Sequence, residues 1–165
     1  MVGHAEVYIG LGSNVGDRLS YLKEAVLEIK SNACHFLISS IYESVPVGFK
    51  FQPLFLNAVC KVATDKTPDQ MLSFLQTLED KLGRTRSFAN APRKIDLDIL
   101  MWDDQVIKTP DLEVPHPRMI RRGFVMLPIV ELAPSMIHPV EGLTMTQLLC
   151  KLQPSDLPRL VSDGI

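Results

Sequence analysis

Apolar residues recur with strand and helix periodicity in the order strand, helix, strand, strand, helix, strand up to Trp102. That order predicts an α+β fold, a ferredoxin-like split βαβ sandwich in which an antiparallel sheet carries packed helices. Size points the same way: 165 residues, 46% of them apolar, suffice for one well-packed core but not comfortably for two. Residues 1–165 are therefore expected to form a single domain, with an extended tail from about residue 153.

Ala5 to Leu11 is β-branched and aromatic and leads out through Gly10 and Gly12, which predicts the first strand. Leu19, Leu22, Ala25, Val26 and Ile29 then repeat at helical spacing, with Asp17 placed to cap the start and Asn32 near the end. His35 to Ser44 and Phe55 to Ala63 read as the second and third strands. The loop between them holds Pro46, Gly48 and Pro53 and is longer than a hairpin needs, so it is a candidate ligand loop. Thr67-Pro68-Asp69-Gln70 opens the next helix with a capping box, and Gly83 closes it. Its apolar stripe is Met71, Phe74, Leu75, Leu78 and Leu82, which leaves Gln76 and Glu79 on or beside the polar face. Ile95 to Trp102 is the fourth strand. Beyond it come a strand-like piece at Leu112 to Val114, a helix over Arg121 to Glu131 and a short helix over Thr144 to Leu152. The residues after Gln153 contain Pro154 and Pro158 and little periodicity, and read as an extended or frayed end.

Three cysteines, odd in number and without a C-x-x-C pair, indicate neither a disulfide framework nor a structural zinc site. Buried free thiols in the cytoplasm are expected. No apolar run approaches the ~20 residues that cross a bilayer. A net charge of -2 argues against broad binding to nucleic acid or anionic membrane. Locally the charge is different. Arg84, Arg86, Arg93 and Lys94 form one stretch without an acid, and Arg118, Arg121 and Arg122 form another. Two positive clusters on a slightly acidic chain suggest a local pocket for a small polyanion.

The sharpest chemical feature is Ile95-Asp96-Leu97-Asp98-Ile99. Strand alternation sends Asp96 and Asp98 to one face, with Cα atoms about 6.5 Å apart, and the three aliphatic residues to the core. Two adjacent carboxylates can share one magnesium ion or hold two, with substrate phosphates completing the shell. A lone D-x-D is more often a solvated strand face. Here, however, the pair follows directly on an arginine-bearing loop, an arrangement suited to phosphate and metal neutralising one another. Arginine supplies a planar fork for phosphate oxygens. In the third strand, Phe55 and Asn57 share one face, where a ring could stack on a flat heterocycle and an amide could match its edge. His116 is stiffened between Pro115 and Pro117.

Several segments resemble the 6-hydroxymethyl-7,8-dihydropterin pyrophosphokinase family. They are Gly10-Leu11-Gly12-Ser13-Asn14, Gln52-Pro53-Leu54-Phe55-Leu56-Asn57-Ala58-Val59, Gly83-Arg84-Thr85-Arg86, Pro92-Arg93-Lys94-Ile95-Asp96-Leu97-Asp98-Ile99-Leu100, and Val114-Pro115-His116-Pro117-Arg118-Met119 with Arg122, Phe124 and Leu127-Pro128. The resemblance implies transfer of pyrophosphate from ATP to a dihydropterin alcohol in folate biosynthesis. It implies two magnesium ions on Asp96 and Asp98, with Asp96 also near the pterin, and Arg84 and Arg93 steadying the transferring group. Gln76, Glu79, Arg86, His116 and Arg122 would contact the nucleotide. Ser44, Val45, Pro46, Phe55, Asn57 and Phe124 would surround the pterin. The partners are then small molecules, and a monomer is expected. Many members carry a tryptophan in the loop before the Pro-Arg pair, where this chain has Ala89-Asn90-Ala91, and Phe49 or Phe51 is a candidate replacement lid. From paired aspartates and arginines alone, another two-metal phosphate enzyme is an alternative, and a binding module of similar shape is a second.

Overall fold

The computed structural model describes residues 3–165. Strand β1 (Ala5–Ser13) runs through the middle of a sheet ordered β5-β1-β4-β3-β8, in which β2 also pairs with β4. The members are β2 (His35–Ile38), β3 (Ile41–Ser44), β4 (Phe55–Thr64), β5 (Asp96–Trp102) and β8 (Arg159–Ser162). Every pairing is antiparallel. β5, β1, β4 and the β2/β3 ribbon reproduce the expected split βαβ order.

Helices α1 (Arg18–Ser31) and α2 (Pro68–Lys81) start where the caps predict. Asp17 accepts from the Ser20 N–H at 3.1 Å, and Thr67 and Gln70 close a reciprocal capping box. Both helices cover one face of the sheet. Val7, Ile9 and Leu11 of β1 interleave there with Cys60 and Val62 of β4, Leu97 and Ile99 of β5, and the buried stripe Leu22, Ala25, Val26 and Ile29. Each such aliphatic side chain, fully buried, contributes roughly 1.5–3 kcal/mol. Leu19, expected in that stripe, is 38% exposed and stands outside it.

The opposite face is only half covered. Helices α3 (Gly123–Leu132) and α4 (Met145–Leu149) pack Val125, Met126, Ile129, Met145 and Leu148 on Tyr8, Val59 and Leu100. The other end of that face stays open. In chain order between β5 and α3, β6 (Ile107–Lys108) and β7 (Glu113–Val114) form a small separate ribbon.

Three expectations change. The stretch 35–44 is two strands, because Ser39 breaks the ladder: its N–H donates to Val59 O at 2.9 Å and its hydroxyl accepts from the Val59 N–H at 3.0 Å. The helix expected from Arg121 begins at Gly123, after a 3-10 turn over Met119–Arg121. The residues after Gln153, expected as an extended or frayed end, are extended but paired. They form a 3-10 turn at Pro154–Asp156 and then β8, which adds to the edge of β3 and is pinned by Arg159 Nη2 on Glu43 Oε1 at 2.7 Å.

Candidate active site

The open half of that face is a cleft, and strand parity decides which side chains enter it. The register sets Gly12 of β1 between Asn57 of β4 and Asp96 of β5, and Gly10 between Val59 and Asp98. With no side chains at 10 and 12, β1 forms a low floor between two walls. A Cβ at Gly12 would stand 3.5 Å from Asn57 Oδ1 and 3.8 Å from Asp96 Cβ. The sequence pattern places these two glycines at the exit of the strand. The signal for a floor was available in two glycines of equal parity inside an otherwise bulky strand.

The cleft is lined by Ser44, Val45, Phe55 and Asn57 on the β3/β4 side, and by Arg93, Asp96 and Asp98 on the β5 side. Arg122, Phe124 and Val125 close the α3 end, and Val47 and Asn90 come from the two long loops. Nine of the residues expected at the site therefore come together in one concavity. Asn57 Nδ2 donates to Ser44 Oγ at 2.8 Å, which fixes the amide's orientation on the wall.

Asp96 is held by two guanidinium groups, Arg84 Nη1 on Oδ1 at 2.8 Å and Arg93 Nη2 on Oδ2 at 2.9 Å. Arg93 also lies over the Phe55 ring, 4.9 Å from its centroid, and its buried Nε–H has no partner among the described residues. Asp98 is pushed up to about 6, first by burial and then by the Asp96 charge, against the opposing pull of Arg122, Arg84 and Arg93. Among the described residues no group of three or more His, Cys, Asp or Glu is arranged to hold a metal. Any cation here would take two carboxylates from the protein and complete its shell from phosphate oxygens and water, the usual arrangement for magnesium.

The remaining expected residues do not line this concavity. Glu79 is not on a polar face. It is 3% exposed, and its carboxylate accepts from the Leu97 backbone N–H at 2.7 Å, from Arg84, and from Arg86 Nη2 at 2.7 Å. β5 is a sheet edge, and Glu79 satisfies one of its outward N–H groups while anchoring the arginine loop; burial nevertheless raises its pKa. Gln76 is exposed on α2, and Arg86 is exposed beside Asp80. Pro46 is buried between the lining residues Val45 and Val47. His116 lines a neighbouring hollow with His138 and Lys108, and burial together with Arg122 and Arg118 holds it down at about 4. It is therefore a neutral imidazole near pH 7, and its Nδ1 accepts from the Arg118 N–H at 3.2 Å.

Asn14, part of the first motif, ties the rim together. Its Oδ1 accepts from the Arg93 N–H at 2.9 Å, and its Nδ2 donates to Gln52 Oε1 at 2.8 Å and Pro53 O at 3.0 Å. Gln52 in turn donates to Asn90 O at 3.0 Å, so both long loops share one hydrogen-bonded knot. Phe49 and Phe51 do not line the cleft. Phe49 meets Phe88 edge-on at 5.5 Å, joining the loops from outside, and Phe51 is 92% exposed.

Residues 8–134 match the family described as 7,8-dihydro-6-hydroxymethylpterin-pyrophosphokinase. The folic acid synthesis protein fol1 of Pneumocystis carinii is 39% identical over 157 residues, covering 94% of this chain and 21% of that protein. The chain thus spans about a fifth of the length of that longer relative. The 2-amino-4-hydroxy-6-hydroxymethyldihydropteridine pyrophosphokinase of Aquifex aeolicus is 43% identical over 136 residues, which are 82% of this chain and 85% of that one. Among solved structures, wild-type HPPK-DHPS of Plasmodium falciparum with pteroate superposes with a TM-score of 0.72 at 16% identity, over 89% of this chain and 42% of that chain. That likeness shows the shared fold.

Proposed function

Since this chain belongs to the 7,8-dihydro-6-hydroxymethylpterin-pyrophosphokinase family, we propose that its cleft transfers pyrophosphate from ATP to the hydroxymethyl oxygen of 6-hydroxymethyl-7,8-dihydropterin. The observation that carries this reading is the pairing of Asp96 and Asp98 on one strand face with Arg84, Arg93 and Arg122 around them. The pterin would lie on the Phe55, Asn57 and Phe124 side over the glycine floor, and Ser44, Val45 and Pro46 would close its edge. Asn57, oriented by Ser44, offers an acceptor to a flat amino-pyrimidinone.

The pterin oxygen attacks the β-phosphorus, the bond to the α-phosphate oxygen breaks, and AMP leaves. Two magnesium ions on Asp96 and Asp98 would supply charge neutralisation for the triphosphate. The donor set fits them, because Asp96 already draws two cationic groups and Asp98 is held close to it in low-dielectric surroundings. When the triphosphate enters, Arg84 and Arg93 exchange the Asp96 carboxylate for phosphate oxygens, and the unpartnered Arg93 Nε–H is a further donor for them. Glu79 keeps Arg84 and Arg86 on the nucleotide side, with Gln76, His116 and Arg122 bounding it. The protein's work is alignment and electrostatic stabilisation. A monomer suffices for this site, and the three free thiols suit a cytoplasmic setting, although only Cys60 is buried as expected while Cys34 and Cys150 are exposed.

Incubation with ATP, magnesium chloride and the pterin alcohol should yield AMP and the pterin diphosphate in equal amounts. Release of inorganic pyrophosphate instead, or a reaction indifferent to chelator, would overturn the proposal.

A further inference from the structure

Gly123 is the first residue of α3, between Arg122 and Phe124, both of which enter the cleft. Its backbone does not lie in the left-handed region, so conformational freedom is not what it provides; space is. A Cβ built there would overlap the Asp156 carbonyl oxygen, with the carbonyl carbon at 2.8 Å and Leu157 Cα at 3.1 Å. These obstructing atoms are backbone and cannot swing aside as a flexible side chain would.

The obstructing segment is itself braced. Pro154–Asp156 is a 3-10 turn in which the Gln153 N–H donates to Asp156 Oδ2 at 3.2 Å and the Asp156 N–H to Gln153 O at 2.9 Å. Upstream, half-buried Leu152 packs against the core cluster that holds the buried residues of α3 and α4. Downstream, β8 pairs with β3, setting Arg159 opposite Glu43, whose carboxylate is shared with Arg18. Ser44, next along β3, lines the cleft.

We propose that the 153–162 segment is a positioning element for the site: its turn rests against Gly123, sets the first turn of α3, and thereby places the Arg122 guanidinium and the Phe124 ring. The inference builds on the pyrophosphoryl-transfer reading, in which those two side chains serve different substrates. One displacement of the α3 start then disturbs both at once. The Arg122 group lies 5.6 Å from the Phe124 ring centroid, so the α3 start carries both side chains.

In the full chain, Gly123→Ala should raise KM for ATP and for the pterin alcohol together and lower kcat, each about tenfold, as displacement of a positioning group by a fraction of an ångström does. Pro154→Gly, at an exposed position outside the cleft, should move the same constants in the same direction by less. Calorimetric titration with magnesium–ATP reads the Arg122 contribution without turnover. A purely structural turn would lower the melting midpoint of both variants and leave KM, kcat and the ATP affinity at wild-type values, and that outcome overturns the inference. If Gly123→Ala does not fold, Pro154→Gly decides alone, and unchanged constants again refute it. Absent turnover in the wild type would count against the reaction, while weakened magnesium–ATP binding in the variants would still support the positioning role.

Discussion

Burial and the neighbouring Asp96 act on Asp98 in the same direction, and both favour its proton. Its pKa in the folded protein, about 6, lies above the ordinary aspartate value of about 3.9. The folded state therefore binds this proton more tightly than the unfolded chain does. The stability this adds is complete below about pH 4 and is lost as pH rises through about 6. Asp98→Asn, uncharged throughout, should consequently melt with the wild type at about pH 4 and at a higher temperature at about pH 8, in chelator-containing buffer. A lower midpoint for the variant at the higher pH would contradict the electrostatics described for the cleft. In turnover assays the order reverses. Asp98→Ala should retain the fold and lose roughly two or more orders of magnitude in kcat, because in the proposed reaction the carboxylate serves substrate charge and not packing. The sharing of one face by Asp96 and Asp98 was legible at this scale, since β parity is a local property. The burial of Glu79 was not, because its reason is the free Leu97 N–H on another element, 18 positions along the chain.

Among the elements, α3 adds one polar tie to its apolar packing on the sheet. Glu131 accepts from the Ser40 N–H and hydroxyl, both at 2.9 Å, and from the Tyr42 hydroxyl at 2.8 Å, which joins the helix to the start of β3. Burial and this bond push Tyr42 up to about 12, so it remains a donor throughout the neutral range. Glu131→Ala leaves these donors without their acceptor and should cost about 1–3 kcal/mol. Urea denaturation should show that loss as a lower midpoint with an unchanged slope, and an unshifted midpoint would mean the contact is not stabilising. Strand β1 carries the complementary lesson. Its even positions beneath the cleft are glycines, so Gly12→Val should fill the floor, raising KM for the pterin about tenfold or more while the helix-covered face keeps its packing. Wild-type affinity for the pterin in Gly12→Val would place the heterocycle elsewhere. The helix starts were readable from Asp17 and from Thr67 with Gln70, because a cap is a contact between close neighbours in sequence. The split of 35–44 into β2 and β3 was not readable, since it depends on Ser39 bonding to Val59 across the ladder.

For the whole molecule, a net charge of -2 conceals a cleft in which three arginines face two aspartates. Such a site should be stabilised by a matched polyanion and cation together. Magnesium with a non-hydrolysable ATP analogue at about a hundredfold over Kd should add about 2.7 kcal/mol to unfolding. Excess chelator should remove most of that gain, and a melting curve indifferent to both additions would remove the metal–phosphate reading. The α+β order of elements, the capped helix starts, the common face of Asp96 and Asp98 and the family resemblance are readable from local pattern, because they rest on periodicities and motifs spanning a few residues. It takes the folded chain to make Gly10 and Gly12 a floor, to tie Arg93 to Gln52 through Asn14, to bury Glu79 as an anchor, and to pair the final strand with β3. Those features bring together residues as far apart as 79 and 116 positions. No local propensity encodes such contacts. They exist only once the sheet has fixed which strand lies beside which.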